Sequence, residues 1–360
     1  MRSLTILPLH NGKAPKWLFS RMVKLGGKIG EAIMDEYGVD EFVRRLSDSN
    51  WFQALACAIG YDWHSSGTTT VTIGALKEAF KYSKEIAIAG GKGKAGTNTP
   101  NDIIEKAADL SISSSAEEFI RISRLAAKVD STMIYDDIGI YEHAFIFNKN
   151  KKWAVVQQAM QYNTSNAIRF QWFSEQVDLK DVANEPHTGI STSAHQTTLD
   201  LTYSQNEWAR RGMPEAAQAY NEMVKVKQYP HRHEIMLGKD LTKRGIDAIE
   251  RASEAKDYKD LLLVKGIGRS TVRALALVAS LIFDKELAYR DPVAFAYALG
   301  GKDGIPFRIN KRTYDSVIDE MTEIIDRANI ENKDKYYALK RLSAYITNTE
   351  EAKHDSNKGG

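Results

Sequence analysis

The residues best placed to do chemistry fall in several short stretches, of which 261–283, LLLVKGIGRSTVRALALVASLIF, has the sharpest pattern. An apolar lead-in ends at Lys265, Gly266 and Gly268 flank Ile267, and a second apolar-striped segment begins at Arg269. Glycines accept left-handed torsions and let other groups approach the backbone closely. The spacing predicts two helices joined by a sharp bend, with the first-turn amides of the second helix facing outward. Such amides, backed by the helix dipole, bind phosphate. Lys265, Arg269 and Arg273 would add neutralising charge, and Ser270 or Thr271 would supply a hydroxyl or cap the helix. Contacts of this kind hold a nucleic-acid backbone without reading its sequence. The same spacing also suits a plain glycine turn between packed helices. It is not a dinucleotide fingerprint, because no strand precedes it and the third glycine is absent.

The densest polar cluster is Asp62, Trp63, His64, Ser65, Ser66 and Thr68. In an extended loop His64 could act as a general base oriented by Asp62; on one helix, i and i+2 do not face each other. The hydroxyls could hold a phosphate and Trp63 could stack on a base, or the stretch could simply cap the helix that follows. Glu142 and Lys152 flank a β-hairpin, with Asp136 and Asp137 just before it. Carboxylates that hold Mg²⁺ and a lysine that orients water are the parts of a metal nuclease, although the single-strand Asp/Glu-x-Lys triplet is missing and Gln157 and Gln158 occupy the second strand. His143 reads equally as a packed strand residue. His187 lies in a loop bounded by Pro186 and Gly189, where it could act as an acid–base group or help to bind a divalent ion. His195, His231 and His233 have no standard zinc spacing. Lys302 sits in the turn GGKDG, which offers a second backbone contact or a helix stop.

The elements that must position these groups are mostly helical. Residues 13–60 carry apolar residues at helical spacing, weakened at Gly26–Gly27 and ending at Gly60. Composition reads 90–102, GGKGKAGTNTPND, as a flexible basic loop. Helix is expected again over 104–130. The segment YEHAFIFNKNKKWAVVQQAM alternates like two strands around a turn near Asn150. Helix is expected over 165–177, which holds Phe170, Trp172 and Phe173, and a polar loop over 185–198. From Leu241 onward helices are expected at 241–254, 257–264, 269–283, 291–299, 311–328 and 333–346. The fold class is α+β: mostly helical, with a small antiparallel β-hairpin or sheet region in the middle and a C-terminal helical domain. The expected domains are 1–130, 131–230 and 231–350, with a disordered tail over 351–360.

A chain of 360 residues can bury a substantial core without disulfides. Net charge is only +2, so the whole chain is not a basic polymer binder. Residues 1–30 and 261–280 are basic and free of acids, which suits local phosphate-facing patches. Cys57 is the only cysteine, so no internal disulfide forms and a reducing, cytoplasmic setting is expected. Its apolar neighbours mark it as a core residue. No apolar run is long enough for a membrane span.

Residues 261–280 resemble the helix-hairpin-helix motif of DNA repair and recombination proteins. That resemblance implies DNA as partner, held by its phosphate backbone without base specificity. Base-excision glycosylases with this motif place an aspartate about twenty residues further on; Asp291 matches, and would stabilise charge developing on the sugar. Asp291–Pro292 is equally a helix start. The lysine of bifunctional members is absent, since Ser270 and Thr271 stand there. Almost the whole chain also resembles an uncharacterised family of archaeal and bacterial proteins, domain of unknown function 763. The stretches that carry this are LPLHNGKAPKWL, DWHSSGTTT, HAFIF with KWAVVQQ, EPHTGI, and GGKDG with RINKRTYD. The expectation is a DNA-processing protein of repair, either a glycosylase or a structure- or damage-specific nuclease. The alternative is a non-catalytic, architectural DNA binder. The sequence specifies no cofactor; Mg²⁺ or another divalent ion is the candidate if one is used.

Overall fold

Alternating strands buried on both faces dictate the architecture. The structure, a computed structural model, describes residues 16–60, 67–135, 138–162, 166–192, 196–225, 243–292, 295–296 and parts of 319–342. Asp62, His64, Asp136, Asp137, His195, His231, His233, Lys302 and the 351–360 tail lie outside the described residues.

The chain opens with four helices: α1 (Lys16–Tyr37), α2 (Val39–Ser47), α3 (Ser49–Ile59) and α4 (Gly67–Ala79). Gly26 and Gly27 do not break α1; both are buried within it, against α4. The Asp48 carboxylate accepts from the Trp51 amide at 2.8 Å and so starts α3. Gly60, in the left-handed region, ends it. Then come β1 (Ile86–Lys92), α5 (Lys94–Thr97), α6 (Thr99–Asp109) and α7 (Ala116–Thr132). The strands β2 (Ile138–Asn148), β3 (Trp153–Gln161), β4 (Asn166–Phe173) and β5 (His187–Thr192) follow, then β6 (Thr198–Leu199) and α8 (Glu207–Lys225). The last elements are α9 (Lys243–Ala252), α10 (Tyr258–Leu263), α11 (Arg269–Phe283), β7 (Tyr289–Arg290) and β8 (Phe295–Ala296), with further helical turns at 322–327 and 334–342.

Six strands form one sheet in the order β1-β2-β3-β4-β5-β8, antiparallel except where β8 runs parallel to β5. Strands β6 and β7 pair separately. Successive side chains of a strand point to opposite faces. On one face Ile88, Ile146 and Val156 pack against α1–α4 and the helical turns near 324 and 338. On the other, Phe145, Val155, Phe170 and Trp172 pack against α7 and the later helices. The strands are therefore hydrophobic on both sides, as a sheet sandwiched between helical layers requires. The core on the α7 side runs from Ala87 to Ala279 and crosses the expected boundaries near 131 and 231.

Several expected elements differ. The 165–177 helix is strand β4, because Ile168, Phe170 and Trp172 face one core while Arg169 and Gln171 face the other. The expected basic loop at 90–102 is the end of β1 followed by α5 and the start of α6; Gly90–Lys92 pair in register with Ala144–Glu142. Six residues of the polar loop expected at 185–198, His187–Thr192, form β5, and within the helix expected at 291–299 Phe295–Ala296 form β8.

Candidate functional site

A single row of polar residues crosses the α3–α4 face of the sheet. Lys92 pairs with Glu142, Glu142 with Gln158, Gln158 with Arg169 and Arg169 with Ser191. Lys92, at the edge, is exposed; the other four are buried. The helices meet this row with polar groups of their own. Thr69 donates to the Gln158 amide oxygen, and the Gln158 amide donates to the Tyr141 hydroxyl. Arg169 donates to the Ser49 carbonyl at 3.2 Å and the Gln53 amide oxygen at 3.4 Å, and stacks on Phe52 at 4.6 Å. The Ser191 hydroxyl donates to Ser49 at 3.1 Å.

Glu142 is the exception in the row. It is 1% exposed, and neither carboxylate oxygen has a hydrogen-bond partner among the described residues. Burial pushes its carboxyl up to about 8, against the pull of Lys92 and Lys77. Lys77 is already committed, to Asp102 and to the Gly90 carbonyl, both at 2.7 Å. A protonated carboxyl near neutral pH, with no partner, is equipped to give or take a proton.

The opposite face carries a second, closed network. From α7, the Asp130 carboxylate accepts from Gln157 at 2.5 Å and from the Trp172 indole at 3.1 Å, and its other oxygen meets His187 Nε2 at 2.7 Å. The Gln157 oxygen faces His143 Nδ1 at 2.7 Å, and His143 Nε2 faces the Ser123 hydroxyl at 2.7 Å. Because the Gln157 nitrogen donates to Asp130, its oxygen must accept, so His143 carries its proton on Nδ1. Burial pushes the His143 imidazole down to about 4, so the ring is neutral. Its Nε2 therefore accepts from Ser123. Burial also raises the Asp130 carboxyl, opposed by His187.

The glycine bend is the third candidate. Gly266 has φ +100, and a Cβ there would stand 3.0 Å from the Ala248 Cβ. Ile267 is buried and anchors the loop. Gly268 is the residue preceding α11; it has extended torsions, and no side chain caps the helix. The bend is clamped from both sides, by Lys128 on the Ile267 carbonyl at 2.5 Å and by Arg251 on the Lys265 carbonyl at 2.8 Å. Lys265 and Ser270 are exposed, whereas Thr271 is buried. Arg269 turns inward, donating to the carbonyls of Ser131 (3.3 Å) and Ile138, and Arg273 reaches Thr198 at 3.5 Å.

The expected catalytic residues do not share one site. Glu142 and His187 lie on opposite faces of the sheet, as their partners show. Lys152 pairs with Glu175 at 2.7 Å near the hairpin turn, six strand positions (about 20 Å) from the level of Gln158 and Glu142. The nuclease-like Glu142–Lys152 pair therefore does not form. Asp291 precedes β8 instead of a helix, near enough to the buried Tyr135 hydroxyl to bear on its ionisation. Among the described residues no three His, Cys, Asp or Glu side chains cluster as metal ligands, and no helix is long and apolar enough to cross a membrane. Sequence reasoning missed Ser123, Asp130, Gln158, Arg169 and Ser191. The available signal was a charged or amide side chain inside otherwise apolar, twofold-alternating strands.

Fold and site together define a three-layer protein: a mainly antiparallel sheet between helical layers, with a buried polar row on one face. Residues 3–309 match the family described as "Protein of unknown function (DUF763)", and the chain belongs to that family. No curated protein and no solved structure matches it.

Proposed function

We propose that this protein binds DNA by its phosphate backbone at the 264–268 bend and processes the bound strand, as a helix-hairpin-helix protein of repair. The supporting observation is the geometry of that bend. A buried Ile267 and the left-handed Gly266 turn the chain so that the uncapped start of the 15-residue α11 sits beside the exposed Lys265 and Ser270. The first amides of a helix have no partner within it, and no acid lies in the first turn of α11 to occupy them. The enzymatic form of this reading has one candidate acid, Glu142, whose oxygens have no hydrogen-bond partner among the described residues; it lies on the sheet face opposite the bend's anchor on α7.

The test is fluorescence anisotropy of labelled duplex DNA across a salt series. Lys265→Glu with Ser270→Glu should weaken binding about tenfold or more and lower the salt slope by roughly 1–2. An unchanged affinity in the folded variant would remove the basis for this reading. End-labelled DNA carrying uracil, abasic sites or nicks then separates the chemistries. Cleavage that stops with EDTA marks a nuclease, and alkali-revealed breaks without metal mark a glycosylase.

A further inference from the structure

A groove of about 780 Å³ opens between α7 and the 93–100 segment. Its charged lining residues are Lys94 and Arg124, both exposed, and neither has an ion-pair partner among the described residues. No acid lines it. Ala127, Ile140 and Pro100 supply apolar wall, and Ser123 and His143 line it too. Lys92, with its ammonium 6.0 Å from the Tyr141 ring, stands close by.

The groove and the bend share α7. Arg124 and Lys128 are one turn apart on that helix, about 6 Å. Lys128 holds the Ile267 carbonyl, while Arg269 holds Ile138, two residues from the groove's Ile140. The groove and the bend are thus tied to the same helix and to the same strand, β2. It combines two unneutralised cations at the surface with an apolar wall. Ser123 adds lone pairs, since its own proton goes to His143. Backbone charge on one side and apolar ring faces on the other are the chemistry of an unpaired nucleotide, and protein grooves that hold single strands are built this way.

We infer that the groove between α7 and the 93–100 segment receives an unpaired stretch of the same DNA strand that the 264–268 bend anchors. This rests on the proposed DNA binding and adds a preference: duplex with a single-stranded extension over blunt duplex. Lys94 and Arg124 neutralise phosphates of the extension, and the apolar wall takes a base.

The experiment compares a blunt labelled duplex with the same duplex carrying a six-nucleotide thymidine tail, by anisotropy across a salt series. Wild-type protein should bind the tailed duplex about tenfold more tightly. Lys94→Glu with Arg124→Glu should abolish that gain and lower the tailed-duplex salt slope by roughly 1.4, two phosphates at about 0.7 each, while leaving blunt-duplex affinity unchanged. Both side chains are exposed, so an unaltered melting curve is expected and is checked alongside. The inference is overturned if wild type shows no tail preference, or if the double variant keeps it. The Lys265→Glu and Ser270→Glu variant is run in parallel. Its loss of binding to both DNAs, with the tail preference absent in wild type, sinks the groove and spares the bend. Retention of blunt binding by that variant, with the tail gain still dependent on Lys94 and Arg124, sinks the bend and keeps the groove as a site for unpaired strand.

Discussion

The two faces of the sheet solve the burial of polar groups in opposite ways. On the α7 face every member of the chain from Ser123 through His143, Gln157 and Asp130 to His187 has a partner, and the directions of the hydrogen bonds follow from one another. On the α3–α4 face Gln158, Arg169 and Ser191 are held by hydrogen bonds, while neither oxygen of Glu142 has a partner among the described residues. A satisfied network rigidifies and specifies a core. An unmet buried acid destabilises it, so its presence points to a ligand or a proton that arrives from outside. The α7 network is thus the more fully satisfied of the two, although the buried Tyr135 hydroxyl in the core on that side also has no partner among the described residues.

The largest effect is expected at Asp130. Asp130→Ala strips the acceptor from Gln157, Trp172 and His187 together. It should cost about 3–5 kcal/mol, read as a fall in the urea midpoint. A loss below about 1 kcal/mol would mean that the α7 network is not structural. Glu142→Gln should behave oppositely. The folded-state pKa of Glu142, about 8, lies above its ordinary value of 4.5. Between these values the folded protein binds the extra proton, so stability falls as pH rises, by up to about 1.4 kcal/mol per pH unit. Below 4.5 both states are protonated and the penalty vanishes; above 8 it is constant. The variant lacks this slope and should exceed wild type by a few kcal/mol near pH 7. Parallel stability curves from pH 5 to 8 would show that Glu142 is already partnered.

Legibility differed in the same way between regions. The N-terminal helices, the β2–β3 hairpin and the α10–α11 bend could be read because apolar spacing and Gly60, Gly266 and Gly268 are local signals. Strand β4 was read as helix because Phe170, Trp172 and Phe173 looked like an apolar cluster, when Arg169 and Gln171 between them carried the period of two. The glycines of β1 disguised a paired strand as loop. The sites were harder still. Asp130 and His187 are 57 positions apart in sequence, and Lys92, Glu142, Gln158, Arg169 and Ser191 come from five strands. Only the register brings them together, and no local pattern encodes register between strands this distant. The sequence puts Glu142 on a hairpin with Lys152, but the cross-strand neighbour of Glu142 is Lys92, and Lys152 sits at the turn.

The remaining predictions concern the bend, where two glycines of one motif have different reasons to be there. At Gly266 a side chain would be strained by the φ of +100 and would press within 3.0 Å of the Ala248 Cβ. Gly266→Ala should therefore cost about 1–3 kcal/mol of stability, measured by thermal or urea unfolding. A neutral result would mean that the bend relaxes without penalty.

Gly268 has neither constraint. Its φ is −133, and a Cβ there meets nothing within 4 Å. Gly268→Ala should change stability by less than about 1 kcal/mol, since a slightly poorer cap is offset by a less flexible unfolded chain. The methyl group would instead project into open space beside the first amides of α11, where the proposed phosphate contact would sit. DNA affinity should fall several-fold with the melting curve unmoved, a separation that no folding defect can mimic. If the variant binds duplex as wild type does, the glycine leaves room for nothing, and the bend belongs with the closed network as scaffold.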